Sequence, residues 1–119
     1  MYTLRFSFEK PLIDPRNYNF GDSYVCIFDI KEFDRRITEV VMKNKLCVTR
    51  GMVEYLDRQT YNGKMGVFKK FNNYQYQNEY RYVLEPGYGK PYRLVIGDIS
   101  SISHIGDISE LDTLEIVIE

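Results

Sequence analysis

Hydrophobic and polar side chains alternate most regularly over residues 74–85, YQYQNEYRYVLE. Read as one strand, this run places Tyr76, Tyr80, Tyr82 and Leu84 on one face with Asn78. It places Gln77, Glu79, Arg81, Val83 and Glu85 on the other, because successive strand side chains point to opposite sides. The aromatic face reads as core, and the other carries three polar groups in a row. The same period predicts a strand over residues 2–8, with Tyr2, Leu4, Phe6 and Phe8 facing one way and Thr3, Arg5 and Ser7 the other. Pro11 and Pro15 predict an irregular connection through Gly21. Residues 23–28, SYVCIF, are almost continuously apolar, the pattern of a strand covered on both faces.

The period changes at Asp29. An Asp followed three residues later by Glu32 is a capping-box pattern for a helix start. Ile30, Phe33, Ile37, Val40 and Val41 then fall on one helical stripe. Lys31, Asp34, Arg35, Glu39 and Lys43 take the solvent side, with an end near Asn44. Residues 46–56 predict a strand bent at Gly51. Residues 57–66 predict a loop whose clearest turn signal is Asn62-Gly63, and residues 67–74 carry no clear period. Pro86, Gly87, Gly89 and Pro91 predict a turn, after which residues 92–96 return as the second strand of a hairpin. The pentapeptide Ile96-Gly97-Asp98-Ile99-Ser100 recurs at Ile105-Gly106-Asp107-Ile108-Ser109, and each copy predicts a Gly-Asp turn leading into a helical turn. Residues 114–118 close the chain as a strand. Together these elements predict a single α+β domain over residues 1–119, with a largely antiparallel or mixed sheet and one principal helix.

Composition narrows the function classes. A chain of 119 residues with net charge -1 lacks the overall positive field that draws in nucleic acid, so a nucleic-acid partner is not expected. Lys64, Lys69 and Lys70 do alternate with Phe68, Phe71, Tyr74 and Tyr76, a pattern compatible with single-stranded nucleic acid. It reads instead as an amphipathic segment with its rings in the core. No apolar run is long enough to span a bilayer, and the N-terminal residues lack the apolar centre of a signal peptide, which predicts a cytoplasmic protein. Cys26 and Cys47 read as buried thiols. With no C-x-x-C and His104 as the only histidine, no metal site is expected. Asp98 and Asp107 read as turn formers, and so do Gly87 and Gly89.

Gln77-x-Glu79 on a strand, with aromatics before it, resembles the last catalytic block of arginine-modifying ADP-ribosyltransferases. The resemblance implies that Glu79 binds a ribose hydroxyl of NAD and stabilises an oxocarbenium-like transition state, where a fixed anion is most useful. It implies that Gln77 orients the acceptor, that Tyr74 or Tyr76 supplies the preceding aromatic, and that Arg5 and Ser7 grip the cofactor. A longer pattern runs through Phe20-Gly21-Asp22, Glu32-Phe33, Arg36-Ile37, Gly66-x-Phe68-x-Lys70, Tyr76-Gln77-x-Glu79-Tyr80-Arg81 and Leu94-x-Ile96-Gly97-Asp98-Ile99. It resembles uncharacterised small proteins of bacteria and their prophages. That resemblance implies a bacterial or phage source.

Two functional expectations follow. The first is a non-enzymatic domain without a cofactor that binds a bacterial protein or complex, for instance as an inhibitor of a host defence complex. Tyr18, Tyr24, Tyr61, Tyr88, Tyr92 and Arg81 are its candidate contact residues, since Tyr gives large contact area with little rotamer entropy to lose. Homodimerisation through a strand edge is a further mode of association. The second is an ADP-ribosyltransferase-like enzyme using NAD, with Glu79 and Gln77 catalytic and Arg5 and Ser7 cofactor-binding. It requires Arg5, Ser7 and Glu79 to converge on one cleft.

Overall fold

The principal helix forms where the sequence places it. The computed structural model describes residues 1–4, 13–87 and 89–113. Within it, helix α1 spans Ile30–Lys43, and the Asp29 side chain accepts from the Glu32 amide at 3.1 Å. The capping-box expectation holds for Asp29, while the Glu32 carboxylate turns outward to Arg35 and Arg36. The helix ends in a Schellman motif. Lys45 has φ 58°, its amide donates to Met42 O at 3.0 Å, and the Leu46 amide donates to Val41 O at 3.0 Å. This closure folds Leu46 back onto the helix, where it is buried with Ile37 and Val41.

The fold is α+β, and the described residues form one long helix and three strand pairs. In chain order the strands are β1 (Ser23–Ile27), β2 (Cys47–Met52), β3 (Glu54–Leu56), β4 (Lys69–Phe71), β5 (Tyr80–Glu85) and β6 (Ser103–Asp107). β1 pairs with β6, β2 with β5, and β3 with β4. The chain divides into two compact units. One, the helical unit, comprises residues 23–49 and 82–106. The other, the polar unit, comprises residues 1–22, 50–81 and 107–119.

The helical unit is organised by its apolar stripe. Ile37, Val41 and Leu46 form its core, and Phe33, Val48, Tyr82, Leu84, Leu94 and Ile96 pack against them. The Tyr82 ring meets Phe33 edge-on, and its hydroxyl donates to Asp34 at 3.2 Å, so the half-buried ring packs on the core while its polar tip is satisfied. Leu94 and Ile96 reach the core from a segment without strand pairing. The expected hairpin of residues 92–96 against β5 is therefore absent, and the partner of β5 is β2. Arg36 donates to the Asp98 carbonyl at 2.6 Å, which ties the first copy of the pentapeptide to the helix.

The polar unit departs further from the sequence reading. The irregular connection after Pro15 is a 3-10 helix, Pro15–Phe20, capped by Asp14, whose carboxylate accepts from the Arg16 amide. Proline at the first position suits such a start, because its missing N–H has no helical acceptor there. Residues 74–85 are not one strand. A 3-10 helix, Asn72–Gln77, ends at Asn78 in the left-handed region at φ 42°, and only then does β5 begin. Asn tolerates that conformation better than most residues. Its amide side chain donates to the Thr3 carbonyl, and the Thr3 amide donates to Asn78 O at 2.9 Å. Tyr2 thereby bridges Glu79 in antiparallel fashion. The expected strand over residues 46–56 breaks at Val53, not at Gly51. Val53 is buried, and its amide donates to the Glu79 carbonyl at 2.9 Å. The rest of the expected first strand and the expected strand of residues 114–118 lie outside the described residues.

Both copies of the pentapeptide form the predicted turn. Asp98 Oδ1 accepts from the Ser100 amide at 2.8 Å, and Asp107 Oδ1 accepts from the Ser109 amide at 2.9 Å. The second copy runs on into a 3-10 helix, Ile108–Thr113. Cys26 is half-buried and Cys47 is exposed, so neither thiol is as buried as expected. No helix among the described residues is long and apolar enough to cross a membrane.

Candidate functional site

The polar face expected around Glu79 exists, although a different backbone builds it. β3 and β4 run parallel, with Glu54 opposite Lys69, Tyr55 opposite Lys70 and Leu56 opposite Phe71. Tyr55 and Lys70 therefore share a face, and both reach residue 79. The Tyr55 hydroxyl accepts from the Glu79 amide at 2.9 Å. Lys70 Nζ donates to Gln77 Oε1 and lies 3.5 Å from Glu79 Oε2. Arg81 Nη2 donates to the same Glu79 oxygen at 2.7 Å, while its Nη1 donates to the Val67 carbonyl at 2.8 Å. Lys70 also stands over the Tyr74 ring, 4.8 Å from its centre.

Gln77, Glu79 and Arg81 thus meet, as the alternation predicted, but Gln77 joins from the end of a 3-10 helix and Lys70 is the residue that links it to Glu79. Among the described residues the Glu79 carboxylate is held through Oε2 alone, so Oε1 remains an acceptor. All four side chains are half-buried. The sequence reading missed Tyr55 and Lys70. The signal for them is register, and a parallel pairing of β3 with β4 across a 12-residue gap is not written in either strand's pattern. Arg5 and Ser7 lie outside the described residues, as does Tyr88.

The opposite face of β4 repeats the theme of cations over rings. Arg58 lies 4.3 Å from the centre of the Phe71 ring, and Lys69 lies 5.1 Å from that of Tyr61. Lys69 Nζ also donates to the Tyr61 hydroxyl at 2.9 Å, which raises the pKa of the ammonium above its ordinary value. In the same unit Arg16 lies 4.5 Å from the centre of the Tyr76 ring. With Lys70 over Tyr74, the described residues of this unit thus hold four cations within about 5 Å of a ring centre.

The helical unit carries a surface of another kind. Phe28 N–H donates to Ile102 O at 3.0 Å at one end of the β1–β6 pair, and Ile108 N–H donates to Asp22 O at 2.8 Å at the other, where the chain passes out of this unit. The residue numbers of both pairs have the same sum, which fixes β1 and β6 as antiparallel with Val25 directly opposite Ile105. They form a non-hydrogen-bonded pair, the kind whose side chains approach most closely. Tyr24 and His104 lie on the other face of the ribbon with ring centres 6.1 Å apart. Val25 and Ile105 are 55% and 72% exposed. The expectation that residues 23–28 are covered on both faces is therefore wrong, because the Val25 face is open. Phe28, Val95 and Tyr92 of the same unit are also exposed. Of the tyrosines singled out from sequence, Tyr92 is exposed, whereas Tyr18, Tyr24 and Tyr61 are half-buried.

The described residues contain no group of three or more His, Cys, Asp or Glu arranged to hold a metal ion. No family model, curated protein or solved structure matches the chain.

Proposed function

We propose that this chain is a protein-binding domain whose primary contact surface is the exposed apolar face of the β1–β6 ribbon. The observation that carries the reading is the Val25–Ile105 pair. Two β-branched side chains directly opposite each other, both largely in water, gain most by being covered. The half-burial of Tyr18, Tyr24 and Tyr61 moves the expected contact surface from tyrosine toward aliphatic side chains, with Tyr92 retained as a candidate. The resemblance to small bacterial and prophage proteins supplies the setting: a bacterial protein or complex as the partner, with inhibition of a host defence complex as one specific form.

The test is affinity capture from bacterial lysate with tagged wild type, Ile105→Lys and Glu79→Gln in parallel. A stoichiometric partner kept by wild type and Glu79→Gln but lost by Ile105→Lys supports this reading. Equal retention by all three removes the ribbon from the interface.

One observation favours a second reading, the ADP-ribosyltransferase-like enzyme. Glu79 is fixed by two cations through a single oxygen, which leaves Oε1 as a positioned acceptor for a ligand hydroxyl. Nicotinamide release from NAD that disappears in Glu79→Gln would establish it, and the absence of release by wild type would end it.

A further inference from the structure

The Tyr61 hydroxyl donates to the Lys64 carbonyl at 2.6 Å, closing a clasp around the two residues between them, Asn62 and Gly63. Lys69 secures the clasp by donating to the same hydroxyl. A Cβ at Gly63 would come within 2.8 Å of the Tyr61 oxygen and 3.0 Å of its Cζ, so any other residue there would displace the ring that makes the clasp. Both Asn62 and Gly63 are exposed, and the Asn62 carboxamide has no hydrogen-bond partner among the described residues. The packing of one tyrosine therefore selects glycine directly after an asparagine in a water-exposed loop.

That juxtaposition carries its own chemistry. The Gly63 backbone nitrogen, with no side chain to shield it, attacks Cγ of Asn62. The carboxamide nitrogen leaves as ammonia and a five-membered succinimide forms. Water then opens the ring at either carbonyl, giving aspartate or isoaspartate. The net reaction consumes one water and releases one ammonia, and it needs no other reactant. The chain has seven asparagines, and Asn62 alone precedes glycine. Asn17, Asn19, Asn44, Asn72, Asn73 and Asn78 precede Tyr, Phe, Lys, Asn, Tyr and Glu, whose side chains hinder the attack.

We propose that Asn62-Gly63 is a self-modification site, converted in the folded protein to aspartate and isoaspartate at a rate set by the Tyr61 clasp. Ring closure must bring the Gly63 nitrogen onto Cγ, and the clasp restricts the backbone rotation this needs. The product carboxylate appears two residues from Lys64 and beside the Tyr61–Lys69 couple. Residues 50–81 carry six Lys and Arg against three Asp and Glu, so the reaction removes one of their three net positive charges. The site therefore acts as a slow one-way charge change in a cationic stretch of the chain.

The experiment incubates wild type, Tyr61→Phe and Asn62→Gln in mildly alkaline buffer and follows tryptic peptides by mass. Cleavage after Arg58 and Lys64 isolates residues 59–64, which contain no other asparagine. The expected result is a one-dalton gain in this peptide, resolved into two chromatographic forms, before any other asparagine peptide changes. Tyr61→Phe should accelerate the gain several-fold, and Asn62→Gln should abolish it. Urea-unfolded wild type gives the rate without any clasp, and circular dichroism confirms that Tyr61→Phe is folded. If that variant unfolds, Lys69→Gln weakens the clasp from its other side and takes its place. A residues 59–64 peptide that changes no sooner than the other asparagine peptides overturns the site. A rate in the clasp variant equal to that of wild type overturns the role of Tyr61.

Discussion

The two units hold their shape by different means. Among the described residues, four of the five buried hydrophobic side chains, Ile37, Val41, Leu46 and Ile102, belong to the helical unit, and only Val53 belongs to the polar unit. The helical unit is a small apolar core closed by a helix stop. The polar unit is a mesh of side chain–backbone bonds, ion pairs and cations over rings, centred on Glu79. Apolar burial depends on area and little on direction, so a helix stripe specifies it simply. A polar mesh depends on the placement of each donor and acceptor, and every member left unpaired costs stability. The two units should therefore respond to mutation in different ways.

The largest effect belongs to the apolar core. Ile37→Ala should destabilise by about 3 kcal/mol in urea unfolding, since it removes a buried side chain and leaves a cavity against Val41 and Leu46. A loss below about 1 kcal/mol would mean that the unit is not built around this stripe. In the polar unit, Glu79→Ala should cost about 1 kcal/mol, because it leaves Lys70 and Arg81 facing each other while every apolar contact stays in place. That loss should shrink as salt is added.

A third change acts on the helix stop. Lys45 occupies a left-handed position that glycine adopts without steric cost, so Lys45→Gly should stabilise by about 1 kcal/mol. No gain in the unfolding midpoint would show that the Lys45 side chain contributes contacts that offset its backbone strain.

The smallest effect is acid-linked. Bonds from Arg35 and Arg36 hold the Glu32 carboxylate at a pKa of about 2, below its ordinary 4.5. Glu39 is lowered in the same direction by Lys43 and then Arg35. A lowered carboxylate contributes stability that is fully present above its unfolded pKa and is lost as pH falls through its folded pKa. Thermal unfolding of Glu32→Gln should accordingly show a flatter acid limb between about pH 4.5 and pH 2 and little change near neutrality.

Legibility from sequence follows the same division. Asp29, the stripe from Phe33 to Val41 and the stop at Asn44 are local signals with one period, and the helix matches them. The Asp98 and Asp107 turns were legible for the same reason, since each is closed by an amide two residues away. The strand of residues 74–85 was misread because alternation by itself cannot see the left-handed turn at Asn78, which a bond to distant Thr3 secures. Gln77, Glu79 and Arg81 were nevertheless rightly grouped, and the residues that assemble them, Tyr55 and Lys70, come from strands whose pairing no local pattern announces. The apolar run of residues 23–28 was read as buried on both faces, since hydrophobicity alone does not say which face is covered. It was the register of β1 with β6 that exposed Val25 and Ile105 as a pair.

The most direct test of the proposed binding surface is amide hydrogen exchange on the protein alone and in complex with the partner it captures. The account predicts new protection in Ser23–Ile27 and Ser103–Asp107 on complex formation, with residues 70–81 unchanged. Protection confined to residues 70–81, with the ribbon exchanging as in the free protein, would contradict it and move the functional surface to Glu79.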